Sequence, residues 1–261
     1  GAKNFSEQYI LARLIGDRLE GAGYTVEYRD GLGSAVVFGA LSGGDIDVYV
    51  DYAGTIWANE MKRRDVPDHR AMVAAITDWA AREHGVGLVG SLGFENAYAF
   101  AMKGADARAK RIASLDDLVR TAPQMTLGSD LEFLERPEWA AVKRAYPLRF
   151  AKTTPYSPTF MYRALESGNV DVISAFSSDG RIAADGLTVL TDPRRAIPGY
   201  DAILMVAPKR AGDAKFVAAL RPLIGRIPVE AMRDANYRVD RDTDKQTPEA
   251  AATWLANRIG R

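Results

Sequence analysis

The chain contains two copies of a short pattern, separated by 124 residues, and this repeat strongly constrains its fold. Residues 40–48 read ALSGGDIDV and residues 164–172 read ALESGNVDV. Each copy has the end of an apolar helix, a glycine turn and the start of a buried strand. No short period accompanies the pair, so the chain is not a solenoid. The repeat predicts an α/β fold of two domains, each built around the same helix–turn–strand unit.

The composition excludes several classes of protein. The 261 residues include 34 Lys and Arg against 34 Asp and Glu, so the formal net charge is zero. Non-specific nucleic-acid binding and adsorption to anionic membranes both depend on excess positive charge, so neither is expected. There is no cysteine, which excludes disulfides, thiolate catalysis and zinc–thiolate centres. The longest stretch without a charged side chain, residues 31–44, is shorter than the ~20 apolar residues of a transmembrane helix.

Alternating short helices and strands are predicted along the chain. Asn4 and Glu7 nearly match the sequence pattern of a capping box, which predicts a helix start. Apolar residues then recur with helical spacing until Gly21 and Gly23. The predicted strands are residues 24–28, 46–50, 86–89 and 98–102, and the predicted helices include 34–41, 54–62, 68–83 and almost all of 213–258. This alternation favours α/β sheets with helices on both faces.

Two patterns that can signal cofactor or metal sites have simpler interpretations in this chain. Gly85, Gly87 and Gly90 form G-x-G-x-x-G, but a helix precedes them and the segment itself has a strand pattern, so a helix-to-strand turn is predicted. His69 and His84 lie 15 residues apart on a helical stretch, with no third ligand at metal-binding spacing. We therefore expect neither a cofactor nor a metal.

The repeat also places an aromatic residue at the end of each buried strand. Tyr52 stands five residues after Asp47, and Phe176 stands five residues after Asp171. Ligands of open α/β sheets bind beyond the carboxyl ends of strands, where the following helices offer free backbone N–H groups. We therefore predict that the two strand ends face each other across a cleft. The alternative is that the two rings merely plug the ends of the sheets.

Two further tyrosines adjoin extended runs of the chain. Tyr98 precedes residues 99–102, and Tyr200 precedes residues 202–206. If these runs are the two crossovers between domains, both tyrosines lie at the hinge side of the cleft. Four aromatic faces converging on one gap can hold a cation, with each face contributing on the order of 0.5–2 kcal/mol when it is desolvated.

Four segments of the chain together resemble the substrate-binding proteins of osmoprotectant ABC importers. They are KNFSEQ at residues 3–8, GLG at 31–33, GDIDVYVDYAGT at 44–55 and FSSDGRI at 176–182. That family binds glycine betaine, choline, carnitine and related quaternary ammonium compounds. The resemblance implies a two-domain, hinged periplasmic-binding-protein fold of type II, with the ligand in the interdomain cleft. Domain I would comprise residues 1–98 and 203–261, and domain II residues 99–202.

The resemblance also implies which side chains bind the ligand. An aromatic cage for the trimethylammonium group would consist of Tyr52, Tyr98, Phe176 and Tyr200. Polar contacts to the other end of the ligand would come from Lys3, Gln8, Thr55, Arg136 and Asn96. Arginine suits a carboxylate because its planar fork can bind two oxygens at once.

The sequence departs from the family pattern at several of these positions. Phe176 stands where the family usually has Tyr, so the aromatic face is kept and the hydroxyl is lost. Val50 and Asp51 replace the usual Pro-Glu before the first cage tyrosine, Ala53 follows that tyrosine, and Ser6 replaces a Thr. Residues 153–158 also differ from the family and bring Tyr156 as a further candidate for the pocket. The class of ligand is therefore predicted, and the individual compound is left open.

The resulting prediction is a non-enzymatic binding protein that delivers a quaternary ammonium compound to an ABC permease. We expect it to be extracytoplasmic or periplasmic and monomeric, and to close around its ligand by a hinge motion between domains. Its ligand could also be a larger betaine such as ergothioneine. An enzyme on the same fold is a second alternative, with Asp51 or Asp179 as the general base. A sensor domain fused to a permease or receptor is a third.

Overall fold

The computed structural model describes residues 1–130 and 133–260. The chain forms two compact units. Unit 1 consists of Gly1–Asn96 and Gly199–Arg261, and unit 2 consists of Ala97–Pro198. The predicted division at 98/99 and 202/203 stays a prediction, although the chain passes between the units close to both places. No helix among the described residues is both long enough and apolar enough to cross a membrane.

The elements alternate between strand and helix over much of the chain. The strands are β1 (Val48–Tyr52), β2 (Gly87–Glu95), β3 (Tyr98–Lys103), β4 (Thr126–Ser129), β5 (Lys152–Pro155), β6 (Val172–Phe176), β7 (Leu187–Val189) and β8 (Asp201–Val206). The α-helices are α1 (Ser6–Gly21), α2 (Ser34–Gly43), α3 (Ala53–Thr55), α4 (His69–His84), α5 (Gly104–Lys110), α6 (Leu115–Thr121), α7 (Pro137–Ala145), α8 (Pro158–Glu166), α9 (Arg181–Ala184), α10 (Pro208–Ala211), α11 (Ala214–Leu220), α12 (Val229–Asp240) and α13 (Pro248–Ile259). Short 3₁₀ turns cover Ala122–Gln124, Phe133–Glu135 and Arg221–Leu223, and a π-helical turn covers Ile56–Glu60.

The sheet of unit 1 has three strands in the order β1-β8-β2. Both neighbouring pairs are antiparallel. The central strand, β8, comes after unit 2 in the sequence, whereas β1 and β2 on either side of it come before unit 2. Its core contains Tyr49, Trp57, Ile76 and Met205, all buried. The pairing of β1 with β8 sets Tyr52 opposite Ala202, which brings the end of β1 to the residues that precede β8.

The sheet of unit 2 has five strands in the order β5-β4-β6-β3-β7. Strands β5, β4 and β6 run parallel, whereas β3 is antiparallel to both β6 and β7. Phe100 and Val172 belong to one buried cluster, and their chain neighbours Ala101 and Ile173 belong to another. Because successive side chains of a strand point to opposite faces, the sheet is covered on both sides. The predicted arrangement of helices on both faces is confirmed for this unit.

The 124-residue repeat corresponds to two matching pieces of structure, one in each unit. Strands β1 and β6 begin and end at equivalent positions of the repeat, and each follows a helix and a left-handed glycine. Gly44 has φ of 82° and Gly168 has φ of 78°, a region that favours glycine. The pieces differ in their surroundings, because β1 lies at an edge of its sheet and β6 lies inside its sheet.

Several local predictions are confirmed and others are wrong. Gly85 ends α4 with φ of 65° and Gly87 begins β2, so the G-x-G-x-x-G segment is a helix-to-strand turn. Residues 24–28, predicted as a strand, are not part of any strand. The runs at 99–102 and 202–206, considered as crossovers, belong to β3 and β8, close to where the chain passes between the units.

The start of α1 also differs from its prediction. The residue before the helix is Phe5 rather than Asn4, and no side chain caps it. The predicted apolar stripe is confirmed, since Ile10, Leu14 and Leu19 are buried. Glu7 does not close a capping box; its side chain turns inward and is 3% exposed.

Candidate functional site

Tyr52, at the carboxyl end of β1, is held by two residues of the first turn of α1. Its hydroxyl lies 2.5 Å from Glu7 Oε1 and 3.1 Å from Gln8 Nε2. Because the amide nitrogen of Gln8 can only donate, the hydroxyl accepts from Gln8 and donates to Glu7. Burial, together with the Glu7 carboxylate, raises the pKa of Tyr52 well above its usual range. The ring of Phe5 stacks on that of Tyr52, with centroids 6.2 Å apart. Hydrogen bonds therefore hold the hydroxyl edge of Tyr52, and the stacked Phe5 ring holds one face of it.

The backbones of Lys3 and Val50 set the orientation of the Gln8 side chain. Its Oε1 accepts from the Lys3 N–H at 3.3 Å, and its Nε2 donates to the Val50 carbonyl at 3.1 Å. The side chain is almost completely buried. Gln8 therefore supports Tyr52 and joins α1 to β1.

Lys3 forms a buried ion pair directly beneath the same tyrosine. Its Nζ lies 2.5 Å from Asp51 Oδ1 and 5.5 Å from the centroid of the Tyr52 ring. Asp51 also accepts from the Tyr49 hydroxyl at 2.6 Å and from the Tyr52 N–H at 2.7 Å. The charges of Lys3 and Asp51 thus neutralise each other. Lys3 therefore has a supporting role beside Tyr52 in this structure. Asp51, considered as a general base, accepts hydrogen bonds from three donors.

Glu7 links four separate segments of unit 1, and sequence reasoning did not include it among the site residues. Besides Tyr52, its carboxylate accepts from Asn96 Nδ2 at 3.2 Å and from Asn236 Nδ2 at 2.8 Å. The Oδ1 atom of Asn96 is buried and has no hydrogen-bond partner within the described part of the chain. The motif at residues 3–8 is the available signal for Glu7, whereas its spacing from Asn4 predicts a helix cap.

Tyr200 lies immediately before β8 and packs on the turn that follows β1. A Cβ added at Gly54 would come within 2.7–2.8 Å of the Tyr200 ring, so only glycine allows this approach. The backbone of Tyr200 donates to Glu95 Oε2 at 3.2 Å and accepts from the Asn96 N–H at 3.1 Å. Thr55, half-buried, ends the short helix α3 that begins at this turn. Six of the predicted site residues therefore belong to one region of unit 1: Lys3, Gln8, Tyr52, Thr55, Asn96 and Tyr200.

Unit 2 holds the remaining two aromatic residues of the predicted cage side by side. Tyr98 and Phe176 are direct partners in the pairing of β3 with β6, and their ring centroids are 4.9 Å apart. Phe133, fully buried, packs on Tyr98 with centroids 4.8 Å apart. The rings of Tyr98, Phe176 and Phe133 form one aromatic cluster at the end of the sheet. Phe133 is not among the site residues predicted from the sequence.

Arg136 lies against this aromatic cluster in a fixed orientation. Its Nε and Nη2 donate to the two carboxylate oxygens of Glu138, at 3.2 and 3.1 Å. Its guanidinium carbon is 5.3 Å from the centroid of Tyr98. The Glu138 side chain is 4% exposed and that of Arg136 is 29% exposed, so the buried acid orients a partly accessible cation.

The other candidates of unit 2 are occupied by local contacts. Asp179, considered as a general base, forms a two-bond ion pair with Arg181, with distances of 3.1 and 2.7 Å. Tyr156 packs against the buried cluster that contains Met161 and Ile173. The described residues contain no group of three or more His, Asp or Glu side chains that could hold a metal ion.

A cavity of about 320 Å³ in unit 1 lies apart from these residues. It is bordered by α1, by residues 24–29 and by residues 45–48, and none of the nine predicted site residues lines it. The size of this cavity therefore does not locate the candidate site, which is defined by the side chains at the ends of the sheets.

Comparisons with known proteins agree over nearly the whole chain. Residues 1–257 match a family model described as the substrate-binding domain of the ABC-type glycine betaine transport system. The ergothioneine transport permease/ergothioneine binding protein EgtU of Helicobacter pylori is 28% identical over 99% of this chain. The carnitine transport binding protein OpuCC of Listeria monocytogenes is 27% identical over 92% of it. This chain spans 47% of the length of the first relative, about half, and 80% of the second.

A solved structure supports the same likeness in three dimensions. It is the crystal structure of a glycine betaine/carnitine/choline ABC transporter, and it matches with a TM-score of 0.90 at 25% identity. The match covers 98% of this chain and 96% of that one. Solved structures of this kind are type II periplasmic binding proteins, so the predicted fold class is confirmed.

Proposed function

The chain belongs to the family of substrate-binding domains of ABC-type glycine betaine transport systems, and from that premise we propose that it captures a betaine and delivers it to an ABC permease. A betaine in this sense carries a trimethylammonium group and a carboxylate. The family consists of substrate-binding components, which confirms the prediction of a binding protein rather than an enzyme. Such components are extracytoplasmic, and we propose the periplasm as the finer location.

The observation that carries this proposal is the pair of aromatic groups at the ends of the two sheets. Tyr52 and Tyr200 flank the β1–α3 turn in unit 1, and Tyr98 pairs with Phe176 in unit 2. A methylated ammonium has no N–H to donate, so aromatic faces attract it while losing little hydration. We propose that all four rings contact the same ammonium group, with Thr55 and Asn96 beside them.

Arg136 supports a ligand that also carries an anion. Glu138 holds the guanidinium in place, so binding a carboxylate costs little additional side-chain ordering. Glycine betaine, carnitine and ergothioneine each carry a carboxylate, whereas choline does not. We therefore propose a zwitterionic betaine as the preferred ligand and choline as a weaker one.

A larger betaine such as ergothioneine is the second candidate. It is favoured by the similarity to an ergothioneine binding protein, and by Phe176, which presents an aromatic face without a hydroxyl. A bulky ligand group meets less polar surface at Phe176 than it would at a tyrosine. Glycine betaine and ergothioneine therefore belong together in any test.

Calorimetric titration of the chain tests the proposal with glycine betaine, carnitine, choline, ergothioneine and glycine. Tyr52→Ala should weaken binding of the preferred betaine by about tenfold, and Tyr52→Phe should weaken it less, because the face contributes more than the hydroxyl. Tyr28→Ala is the matched control, since it removes an aromatic ring that lines the separate cavity and stacks on Arg13. Equal affinity for glycine and glycine betaine would contradict the proposal, as would unchanged affinity in Tyr52→Ala.

A further inference from the structure

We propose that His69 is a positioning residue for Tyr200, because it contacts the residues on both sides of that tyrosine and so sets the place of one aromatic face of the ammonium site. This inference rests on the proposed function, since Tyr200 is a ligand residue only under that function. His69 itself begins α4 and is not among the ligand contacts proposed above.

The first argument is the close packing of the His69 ring on the residue before Tyr200. A Cβ added at Gly199 would lie 2.8–2.9 Å from three atoms of the imidazole, so the ring directly covers the backbone of Gly199. Gly199 is buried, although the His69 side chain is 52% exposed. Glycine has the widest backbone freedom of any residue, so the ring restricts the segment that leads into Tyr200.

The second argument is a contact on the other side of the tyrosine. The Nδ1 atom of His69 lies 3.1 Å from Asp201 Oδ2 and 3.9 Å from Glu95 Oε2. The Oδ2 atom of Asp201 is buried and receives no hydrogen bond within the described part of the chain. A buried carboxylate oxygen of this kind favours a positive charge beside it, and a protonated imidazole supplies that charge at Nδ1. One side chain therefore contacts both neighbours of Tyr200 in the sequence.

The third argument is that His69 stands on a helix whose start is fixed. The side chain of Asp68 caps α4 by accepting from the Ala71 N–H at 3.0 Å, and the helix contributes buried residues to the core of unit 1. Tyr200, by contrast, comes just before β8, outside any helix or strand. Side chains on helices hold a position more precisely than those on loops, so His69 can impose a position on Tyr200.

The test is a double-mutant cycle on the contact between the ring and Gly199, measured by calorimetric titration with glycine betaine and with ergothioneine. His69→Ala removes the ring, and Gly199→Ala places a methyl group against it. We expect each single variant to weaken the tighter of the two ligands by about five- to tenfold. In the double variant the methyl group meets no ring, so Gly199→Ala should add less than about twofold to the loss in His69→Ala. A thermal melt confirms that each variant is folded.

Two further variants separate positioning from a general loss of stability. His69→Phe keeps a flat ring over Gly199 without the nitrogen, so it should bind more tightly than His69→Ala. His84→Ala is the matched control, because His84 is the other histidine of the chain and ends the same helix. Its ring packs on Phe38 and Trp79, so the variant should melt at a lower temperature and keep its affinity within about twofold.

The outcomes distinguish the two ways in which this inference can fail. The positioning role is wrong, and the proposed function stands, if His69→Ala binds as the wild-type chain does or if the losses of the two single variants add in the double variant. It is also wrong if His69→Phe binds no better than His69→Ala, or if His84→Ala loses as much affinity. If the wild-type chain binds none of the quaternary ammonium compounds in the panel, the proposed function is wrong and this inference falls with it.

Discussion

Tyr49 and Tyr52 lie three residues apart on β1, and each donates its hydroxyl proton to a different buried acid. Tyr49 donates to Asp51 at 2.6 Å and Tyr52 to Glu7 at 2.5 Å. In both cases burial is the main cause of a raised pKa, and the adjacent carboxylate adds to it. The two tyrosines therefore stay protonated in the folded chain beyond the pH at which an unfolded tyrosine ionises. This behaviour has a consequence for stability that can be measured.

Tyr49→Phe should reduce the loss of stability at alkaline pH. A tyrosine whose pKa is raised by folding contributes stability that is fully present below its unfolded pKa, near 10, and is lost as pH rises further. At pH 8 the variant should be less stable than wild type, by about 1 kcal/mol for the lost hydrogen bond. Above pH 10 the gap should shrink, by up to about 1.4 kcal/mol per pH unit. Urea unfolding of both chains at pH 8 and pH 11 measures the gap, and an identical gap at both pH values would contradict this account.

Arg136→Ala should weaken carboxylate ligands more than choline. Hydrogen bonds to charged groups contribute about 1.5–3 kcal/mol, so glycine betaine should lose about ten- to a hundredfold in affinity. Choline should lose much less, because it has no carboxylate for the guanidinium to bind. Titration of the variant with both ligands measures the difference, with Arg108→Ala, an exposed arginine of unit 2, as the control. Equal losses for the two ligands would remove Arg136 from the anion-binding role.

At the scale of elements, the turn after β1 depends on close contact between a glycine and an aromatic ring. Strand β1 ends at Tyr52, α3 starts at Ala53, and the Tyr200 ring lies against Gly54. The pairing of β1 with β8 brings Tyr200 to this place. The backbone that follows Tyr52 thus sets the position of the Tyr200 ring, and both are proposed cage residues.

Gly54→Ala should therefore displace the Tyr200 ring, because the new methyl group would approach it to 2.7–2.8 Å. We expect a loss of about 1–3 kcal/mol in stability, as in other overpacked sites, and a loss of betaine affinity of at least about tenfold. Gly39→Ala is the matched control: Gly39 lies inside α2 with no atom within 4 Å of an added Cβ. That variant should gain about 0.5–1 kcal/mol and bind normally. Calorimetry and urea unfolding distinguish the two, and normal binding in Gly54→Ala would contradict the packing argument.

The elements that could be predicted from the sequence are those with a strong local pattern. The 124-residue repeat fixed the ends of β1 and β6, and with them the places of Tyr52 and Phe176, because a glycine turn and an apolar strand are local signals. Residues 24–28 alternate like a strand, but strand formation also requires a partner, and pairing is not encoded locally. The backbone hydrogen bonds at this segment and beside it include those from Tyr24 N–H to the Leu19 carbonyl and from Ala2 N–H to the Arg29 carbonyl, and neither belongs to a strand pairing.

The supporting residues of the site could not be predicted for a similar reason. Glu7 has the spacing of a helix-capping residue, yet it is bound by Asn236 from the other end of the chain. Glu138 is one acid among 34 in the sequence, and its role appears only when Arg136 folds back onto it. The motif at residues 3–8 includes Glu7, whereas its partners Asn96 and Asn236 are known only from the tertiary contacts.

At the scale of the whole molecule, each unit carries part of the proposed binding groups. Unit 1 supplies Tyr52 and Tyr200, and unit 2 supplies Tyr98, Phe176 and Arg136. Both units have their own buried cores, so neither depends on the ligand for a hydrophobic interior. A ligand that binds the folded state and not the unfolded state nevertheless stabilises the fold, by about 2.7 kcal/mol at a concentration 100 times its dissociation constant. Stabilisation against unfolding is therefore a measure of binding that needs no label on the ligand.

The stabilisation should increase with each methyl group on the ligand nitrogen. Glycine, sarcosine, dimethylglycine and glycine betaine keep the same carboxylate and lose one N–H at each step. An N–H that leaves water without finding an acceptor costs free energy, whereas a methyl group replaces it with surface that aromatic rings attract. At one fixed excess concentration, the melting temperature should rise along the series and be highest with glycine betaine. The same series with Tyr52→Ala should rise less steeply, because one of the four proposed faces that distinguish methyl from N–H is gone. A melting temperature that is equally high with glycine, or that rises as steeply along the series in Tyr52→Ala, would show that these rings pack the sheet ends and do not select the ammonium group.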